Sequence, residues 1–241
     1  IKKRHLSFLS RIKYIYMKAK SALIVFAREP KDGKAKTRLA KDLPVASVTE
    51  LYKAFILDVL DIAKKVLCDK RFIYYAGNGS SMPFLQKLKN RFQLKRQIGS
   101  DLGERMYRAF AHCRKNQFEK IVIIGTDCVT LTSRDIKTAF EKLESYDCVL
   151  GPSKDGGYYL IALKTPHSKL FKDIRWSTAL VLKQTLHRAR QLNKKTFLLG
   201  PREDIDTIIH LKELSRSFKN PTAAVHTQKI LKNLFYSPRE A

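Results

Sequence analysis

The sequence predicts an α/β protein with a mostly parallel central sheet flanked by helices. Residues 22–27 (ALIVFA) form an unalternating, β-branched-rich apolar run, which is typical of a strand buried on both faces of a parallel sheet. Residues 120–125 (KIVIIG) form a second run of this kind. Between and after these runs, stretches with helical and strand-like patterns alternate over short connections, which favours βαβ units.

The elements of the first half follow from periodicity and turn signals. Apolar residues spaced three and four apart across residues 45–66 predict a long crossover helix, and Ser47 with Glu50 has the pattern of a capping box. Asp101 predicts the N-terminal cap of a later helix. The remaining predicted elements of this half are a strand at 71–76, a short helix at 83–88 and a weaker strand at 92–98.

The second half continues in the same way. Thr132 and Asp135 predict the capped start of a helix, and Ser177 or Thr178 predicts the start of another. An Asp-Gly pair at 155–156 lies between two apolar runs, which indicates a hairpin. The remaining predicted elements are strands at 147–151, 158–163 and 197–199, and helices at 208–218 and 223–235.

A basic loop follows the first strand. Two acids, Glu29 and Asp32, stand against five cations: Arg28, Lys31, Lys34, Lys36 and Arg38. Open α/β sheets bind nucleotides at the carboxyl ends of their strands, and clustered Lys and Arg hydrogen-bond phosphate, so the loop predicts an anion site. The alternative is a solvated basic loop. A P-loop is excluded, because the glycine it needs five residues before Gly33 is absent and Ala35 replaces its Ser or Thr.

The formal net charge of +26 is the extreme feature of the 241-residue composition. The cations are spread over nearly every segment and no zinc-finger, RRM, KH or basic-zipper pattern is present, so no specific nucleic-acid partner is expected. No apolar run approaches the ~20 residues of a membrane span. The four cysteines lack CxxC spacing, which predicts reduced thiols in a cytoplasmic, soluble protein.

Residues 1–16 form a basic extension, and residues 17–241 are expected to form a single domain. The extension carries five cations and no acid, and Met17 is a natural start for a chain whose first strand begins about five residues later. We therefore expect a non-native or dispensable segment. The alternative is a basic amphipathic helix that makes weak contact with a membrane surface.

Carboxylates in two separate parts of the chain are candidate metal ligands. Asp127 stands where an apolar strand ends, and a carboxylate there is desolvated unless a cation pairs with it. Asp204 and Asp206 follow the last strand, and alternation points both side chains the same way, so that one can reach a metal and the other can support it.

The motifs resemble a bacterial glycosyltransferase-like family of the DUF2064 type, within the GT-A nucleotide-diphospho-sugar transferase superfamily. The similarity extends over roughly residues 20–210, and the first motif is also similar to the AKSRL segment of the phospholactate guanylyltransferases. The chain departs from the family pattern at Val129, where proline is usual, and at Ala162, where glycine is usual. The matching strings are KxGKxKTRL at 31–39, GSDLGERM at 99–106, GTDC at 125–128, GPSKDGGYYLIAL at 151–163, FKDIRWST at 171–178 and DIDT at 204–207.

The resemblance implies a single GT-A-like, Rossmann-like domain with a Mg²⁺ or Mn²⁺ ion held by Asp127 and Asp206. It implies catalytic roles for Asp127 and Asp155. Nucleotide-binding roles are implied for Arg28, Lys31, Lys34, Lys36, Thr37, Arg38, Asp101, Leu102 and Gly103. Acceptor-side roles are implied for Gly156, Gly157, Tyr158 and Trp176.

Two enzymatic reactions suit these residues. The first is metal-dependent transfer of a glycosyl group from a nucleoside diphosphate sugar to a small acceptor, which the resemblance favours. The second is nucleotidyl transfer from a nucleoside triphosphate to a phosphorylated small molecule, which the basic loop and the similarity to the phospholactate guanylyltransferases favour. An alternative of another class is a non-catalytic binder of nucleic acid or a membrane surface, which would leave Asp127 and Asp206 unexplained.

Overall fold

A computed structural model of the protein describes residues 19–78, 91–218 and 223–235. It contains a seven-stranded sheet in the order β3-β2-β1-β4-β6-β5-β7. Among the described strands only β6 runs antiparallel to its neighbours. The strands are β1 (Ser21–Arg28), β2 (Lys70–Ala76), β3 (Gln93–Arg96), β4 (Lys120–Ile124), β5 (Cys148–Pro152), β6 (Tyr158–Leu163) and β7 (Thr196–Leu198). The predicted α/β class with a mostly parallel sheet is confirmed.

Helices cover both faces of the sheet. The described helices are α1 (Val45–Lys64), α2 (Leu102–Lys115), α3 (Ser133–Lys142), α4 (Val181–Gln191), α5 (Ile208–Ser217) and α6 (Val225–Phe235). Helices α1, α3, α5 and α6 pack on one face, and α2 and α4 pack on the other. None of the helices in these described ranges is long and apolar enough to cross a membrane.

Strand β1 is buried on both faces. Leu23 and Val25 lie in the core beneath α1, while Ala22 and Ile24 lie in the core beneath α2. All four side chains are inaccessible to solvent. An apolar run without alternation is what such a position requires, because neither face of the strand meets water.

The sheet order creates a topological switch point between β1 and β4. After β1 the chain crosses to β2 on one side, whereas β4 pairs with β1 on the other side, parallel to it. The loops that follow β1 and β4 therefore diverge and leave a crevice at their carboxyl ends, where open α/β sheets bind ligands.

Two predicted helix starts are confirmed. Asp101 accepts a hydrogen bond from the amide of Glu104 at 2.8 Å. Thr132 and Asp135 form a reciprocal capping box at the start of α3.

Two other predicted helix starts are wrong. Helix α1 begins at Val45 after Pro44 with no side-chain cap, because proline itself fixes the entry of the chain, and Glu50 pairs with Lys53 instead. Helix α4 begins at Val181, and the Thr178 hydroxyl turns back to donate to the carbonyl of Arg175. The predicted helix at 83–88 lies outside the described residues.

A buried carboxylate ties α6 to α1. Asp58 on α1 accepts hydrogen bonds from the amides of His226 at 3.0 Å and Thr227 at 2.8 Å. Those amides belong to the first turn of α6, where backbone N–H groups have no partner within the helix. Burial raises the pKa of Asp58 above its ordinary value, although these hydrogen bonds act in the opposite direction.

Candidate active site

The basic loop after β1 folds one lysine inward. Lys36 has a positive φ of 52°, a left-handed conformation that is uncommon for a residue with a Cβ. Buried Ala35 and Leu39 anchor the loop on either side of it. As a result the Lys36 side chain is only 4% exposed, and its ammonium lies 5.7 Å from the centre of the Phe55 ring on α1.

The Lys36 ammonium bridges the two predicted metal ligands. Its Nζ atom lies 2.8 Å from Oδ1 of Asp127 and 2.7 Å from Oδ1 of Asp206. Burial by itself would lower the pKa of Lys36, but the charges of the two carboxylates raise it above its ordinary value, so the amine stays protonated. The same ammonium holds the pKa of Asp206 below its usual range, although burial acts in the opposite direction.

A backbone contact brings the late acidic segment to the end of β4. The amide of Ile205 donates to the carbonyl of Asp127 at 3.0 Å, and the Ile205 side chain is buried. Asp204 and Asp206 flank this anchor, so both carboxylates are placed beside Asp127. The predicted convergence of the early and late acids is therefore present.

Asp204 is the acid of the cluster whose ionised form is disfavoured by its surroundings. Its Oδ1 atom is buried and has no hydrogen-bond partner among the described residues. Burial, followed by the nearby charge of Asp127, raises the pKa of Asp204 to about 7. At neutral pH this carboxyl is thus close to half protonated, and an added cation would favour its ionised form.

Tyr52 on α1 contacts the carboxyl ends of both β1 and β4. Its hydroxyl oxygen accepts a hydrogen bond from the amide of Arg28 at 3.0 Å and lies 3.1 Å from the hydroxyl of Thr126. Arg28 ends β1 and Thr126 follows β4, so one side chain fixes both sides of the crevice. Burial and the charge of Asp127 raise the pKa of Tyr52 to about 12, which keeps the hydroxyl protonated.

The start of α2 packs tightly against Trp176. A Cβ added at Gly103 would lie 2.5 Å from Cζ2 of the Trp176 ring, so only glycine allows this contact. Leu102, the neighbouring residue, is 42% exposed. The predicted nucleotide-side and acceptor-side segments therefore meet in one wall of the crevice.

The Asp155 side chain stabilises its own turn through hydrogen bonds. Oδ1 of Asp155 accepts hydrogen bonds from the Ser153 hydroxyl at 2.5 Å and the Gly157 amide at 2.9 Å. Gly156 has a φ of 89°, and a Cβ there would collide with the Ala179 backbone. The hydroxyl of Tyr158 lies 4.0 Å from the sulfur of Met106, and burial raises its pKa above the ordinary value.

The crevice encloses a cavity of about 850 Å³. It is lined by many of the residues singled out from the sequence: Arg28, Lys36, Thr37, Arg38, Asp101, Leu102, Asp127, Asp155, Gly157, Tyr158, Trp176 and Asp206. Lys31 and Lys34 are exposed in the same loop and do not line the cavity, and Gly103 and Gly156 support its wall from behind. The roles of all these residues remain predictions.

The cavity lining includes residues that sequence reasoning did not single out for the site, among them Tyr52, Gln97 and Arg105. Gln97 donates through Nε2 to the carbonyls of Ala27 at 3.2 Å and Tyr74 at 2.9 Å, and so joins β1 to β2. Tyr52 carries a weak signal, since a hydroxyl-bearing side chain interrupts an otherwise apolar helix stripe. Gln97 carries none, because a polar residue after a strand is ordinary, whereas Arg105 lies within the GSDLGERM string at 99–106.

The carboxylates suit a hard divalent cation. Within the described ranges, no three His, Cys, Asp or Glu side chains enclose a metal position by themselves. Asp127 and Asp206 nevertheless converge on one point, which the Lys36 ammonium occupies. Asp204, whose Oδ1 has no hydrogen-bond partner among the described residues, is close enough for its charge to interact with that of Asp127. Mg²⁺ is commonly held by one or two carboxylates together with substrate phosphates and water, so this donor set fits.

Comparisons with known proteins agree with the fold. A protein from Desulfovibrio desulfuricans G20, provisionally named a nucleotide-diphospho-sugar transferase, is similar to the chain with 28% identity and a TM-score of 0.81, over 90% of this chain and 95% of that one. A cytidylyltransferase from Leptospira borgpetersenii has 14% identity and a TM-score of 0.53, over 90% and 95%. The inositol-1-phosphate CTP transferase of T. maritima has 14% identity and a TM-score of 0.51, over 89% and 98%.

The first of these likenesses supports an enzyme of the transferase class, and the other two show the fold alone. No curated protein matches the chain. A profile of the family described as "Uncharacterized protein conserved in bacteria (DUF2064)" matches residues 59–178. With the shared architecture, this match supports a GT-A-like family similar to the DUF2064 proteins.

Proposed function

We propose that this protein is a metal-dependent transferase that uses a nucleotide sugar and moves the glycosyl group to a small acceptor. One observation carries the proposal. Cationic side chains from the loop after β1 and carboxylates from two distant segments converge on a single cavity at the switch point of the sheet. Cations that hold phosphate and acids that hold a metal together stabilise the negative charge that develops on a departing nucleoside diphosphate.

The residues divide the work as follows. Arg28 and Arg38 face the cavity and make no ion pair with the described residues, so they are available to phosphate oxygens. Asp127 and Asp206 would hold a Mg²⁺ or Mn²⁺ ion, and such an ion supplies positive charge where the leaving diphosphate develops negative charge. Asp155, which also lines the cavity, would orient the acceptor.

Nucleotidyl transfer is the second candidate. Three arginines line the cavity, Arg28, Arg38 and Arg105, which is more positive charge than a diphosphate needs. A triphosphate donor would match that charge better, and pyrophosphate would then be the leaving group. A small phosphorylated molecule would take the acceptor position.

Thermal unfolding with a panel of ligands tests the proposal. Nucleotide sugars and nucleoside triphosphates are each added with and without Mn²⁺, and stabilisation by a nucleotide sugar plus metal is the expected result. Stabilisation by a triphosphate alone among the panel would favour the second candidate. No stabilisation by any member would contradict both.

The variant Asp127→Asn tests the metal role within this site. We expect loss of the Mn²⁺-dependent stabilisation by nucleotide and a fall in turnover of about 10²- to 10³-fold, the scale for one electrostatic stabiliser. The melting temperature without metal should change little, because Asp127 is 51% exposed and its pair with Lys36 is screened by solvent on that side. Full stabilisation of the variant by nucleotide plus metal would place the ion elsewhere.

A further inference from the structure

The Lys36 ammonium occupies the position between two carboxylates where the proposed metal ion would bind. Lys36 Nζ lies within 2.8 Å of a carboxylate oxygen from both Asp127 and Asp206. A lysine ammonium and a divalent ion cannot share that position. Whichever cation binds the carboxylate pair therefore excludes the other from it.

The lysine is held there by the fold. Its backbone adopts a left-handed conformation, its side chain is almost completely buried, and its charged end lies over Phe55. A non-glycine residue in this conformation costs energy, and it persists only when its surroundings favour it. The conformation of the loop and its packing therefore hold the Lys36 side chain in its inward position.

We propose that Lys36 is the resident counter-ion of Asp127 and Asp206 in the metal-free protein, and that a divalent cation binds them by displacing the Lys36 ammonium into the cavity. The inference rests on the metal role in the proposed function. Lys36 and Arg38 line the same cavity, so the displaced ammonium would lie beside the arginine, where a phosphate group could accept from it.

The local charge favours the exchange. Lys36 supplies one positive charge to a cluster in which Asp204 also acts electrostatically and has an unpartnered oxygen. A divalent ion supplies two positive charges and accepts several oxygen ligands. Because nucleotide phosphate would give the displaced ammonium a new partner, metal and nucleotide should each strengthen the binding of the other.

Calorimetric titration with Mn²⁺ alone tests the exchange. Lys36→Met removes the competing charge and keeps a side chain of similar length, so Mn²⁺ affinity should rise by about tenfold or more, the scale of one charge-assisted hydrogen bond. Lys41→Met is the matched control, because Lys41 is an exposed lysine just after the same loop and its loss changes the net charge equally. Lys36→Arg keeps a cation in place and should not show the rise.

Equal or weaker Mn²⁺ binding by Lys36→Met, or a rise of the same size in Lys41→Met, would overturn the inference. The outcome is separable from the proposed function, which is judged by nucleotide stabilisation. If Lys36→Met and the unaltered protein bind Mn²⁺ equally and nucleotide still stabilises the protein, the displacement of Lys36 is wrong and the proposed function stands. If Lys36→Met binds Mn²⁺ more tightly but no nucleotide stabilises the protein, the proposed function is wrong and the displacement of Lys36 stands.

Lysine footprinting gives a second test on the unaltered protein. Reductive methylation with formaldehyde and an amine-borane modifies accessible amines, and mass spectrometry reports the extent at each lysine. Lys36 should be protected without metal and should become several-fold more reactive when Mn²⁺ is added, while Lys41 should react equally in both conditions. Unchanged protection of Lys36 at saturating Mn²⁺ would contradict displacement.

Discussion

Arg38 lies two residues from Lys36 but has a different environment. The Lys36 side chain is buried between carboxylates, whereas Arg38 is exposed at the cavity. Arg38→Ala should therefore weaken nucleotide binding by about 1.5 to 3 kcal/mol, the scale of a hydrogen bond to a charged group, and change stability by less than about 0.5 kcal/mol. Isothermal titration with nucleotide measures the first quantity and urea unfolding the second.

Lys41→Ala is the matched control for Arg38→Ala, since Lys41 is exposed and does not line the cavity. Its nucleotide affinity should equal that of the unaltered protein. An equal loss in both variants would mean that only the overall charge matters, and no loss in either would place the nucleotide elsewhere.

The sequence predicted which residues approach the site better than it predicted their partners. Lys36, Asp127 and Asp206 were all expected there, but with the lysine on phosphate and the acids on a metal. The structure pairs them with one another. Partnership across 170 residues depends on loop conformation, in particular the left-handed backbone of Lys36, which residue type does not reveal.

Asp204 should give the metal-free protein a pH-dependent stability. Its folded pKa of about 7 lies above the ordinary value of 3.8, so the contribution of the protonated carboxyl to stability is complete below the unfolded pKa and is lost as pH rises through about 7. We expect the unaltered protein to lose about 1 kcal/mol more than Asp204→Asn between pH 6 and pH 8. Urea unfolding in the presence of a chelator measures the difference, and parallel pH profiles would show that Asp204 titrates normally.

At the scale of elements, the contact between α2 and Trp176 depends on one missing methyl group. Gly103→Ala would place a Cβ 2.5 Å from the indole ring, so either the helix or the ring must move. We expect a loss of about 1 to 3 kcal/mol in unfolding free energy, the usual cost of overpacking. Urea unfolding measures this loss.

Gly200→Ala is the control for this contact, because a Cβ at Gly200 would meet nothing within 4 Å. Its stability should match that of the unaltered protein within about 0.5 kcal/mol. If Gly103→Ala were equally well tolerated, the packing of Trp176 on α2 would be looser than the structure has it.

The elements themselves were largely predictable, but the full order of the strands in the sheet was not. Apolar runs located β1, β4 and β6 within a residue or two, because burial imposes composition directly. The Asp-Gly signal predicted the antiparallel pairing of β5 with β6, which is confirmed. Nothing in the sequence predicted that β6 would insert between β4 and β5, because periodicity records which face is buried and not which strand lies alongside.

At the scale of the whole molecule, the domain should form without its basic extension. Within the part of the chain that the structure describes, the first backbone contacts with the sheet come from Lys20, whose carbonyl accepts hydrogen bonds from the amides of Glu119 and Lys120, and β1 begins at Ser21. A chain that starts at Met17 keeps all of these contacts. We expect it to unfold cooperatively at a denaturant concentration close to that of the full chain.

Circular dichroism during urea titration checks this expectation. A broad, non-cooperative transition in the shortened chain would show that residues 1–16 belong to the domain. A sharp transition with an unchanged midpoint is the expected result.

The distance in sequence between Lys36 and Asp206 has a consequence for synthesis. The strands β1 to β4 and their helices can form as the chain emerges from the ribosome. Lys36, however, lacks one of its two carboxylate partners until the segment around Asp206 has also emerged. The same segment is anchored by Ile205 on the carbonyl of Asp127. The proposed site is therefore among the last parts of the protein to be completed, and a nascent chain has most of its fold before the Lys36 cluster is assembled.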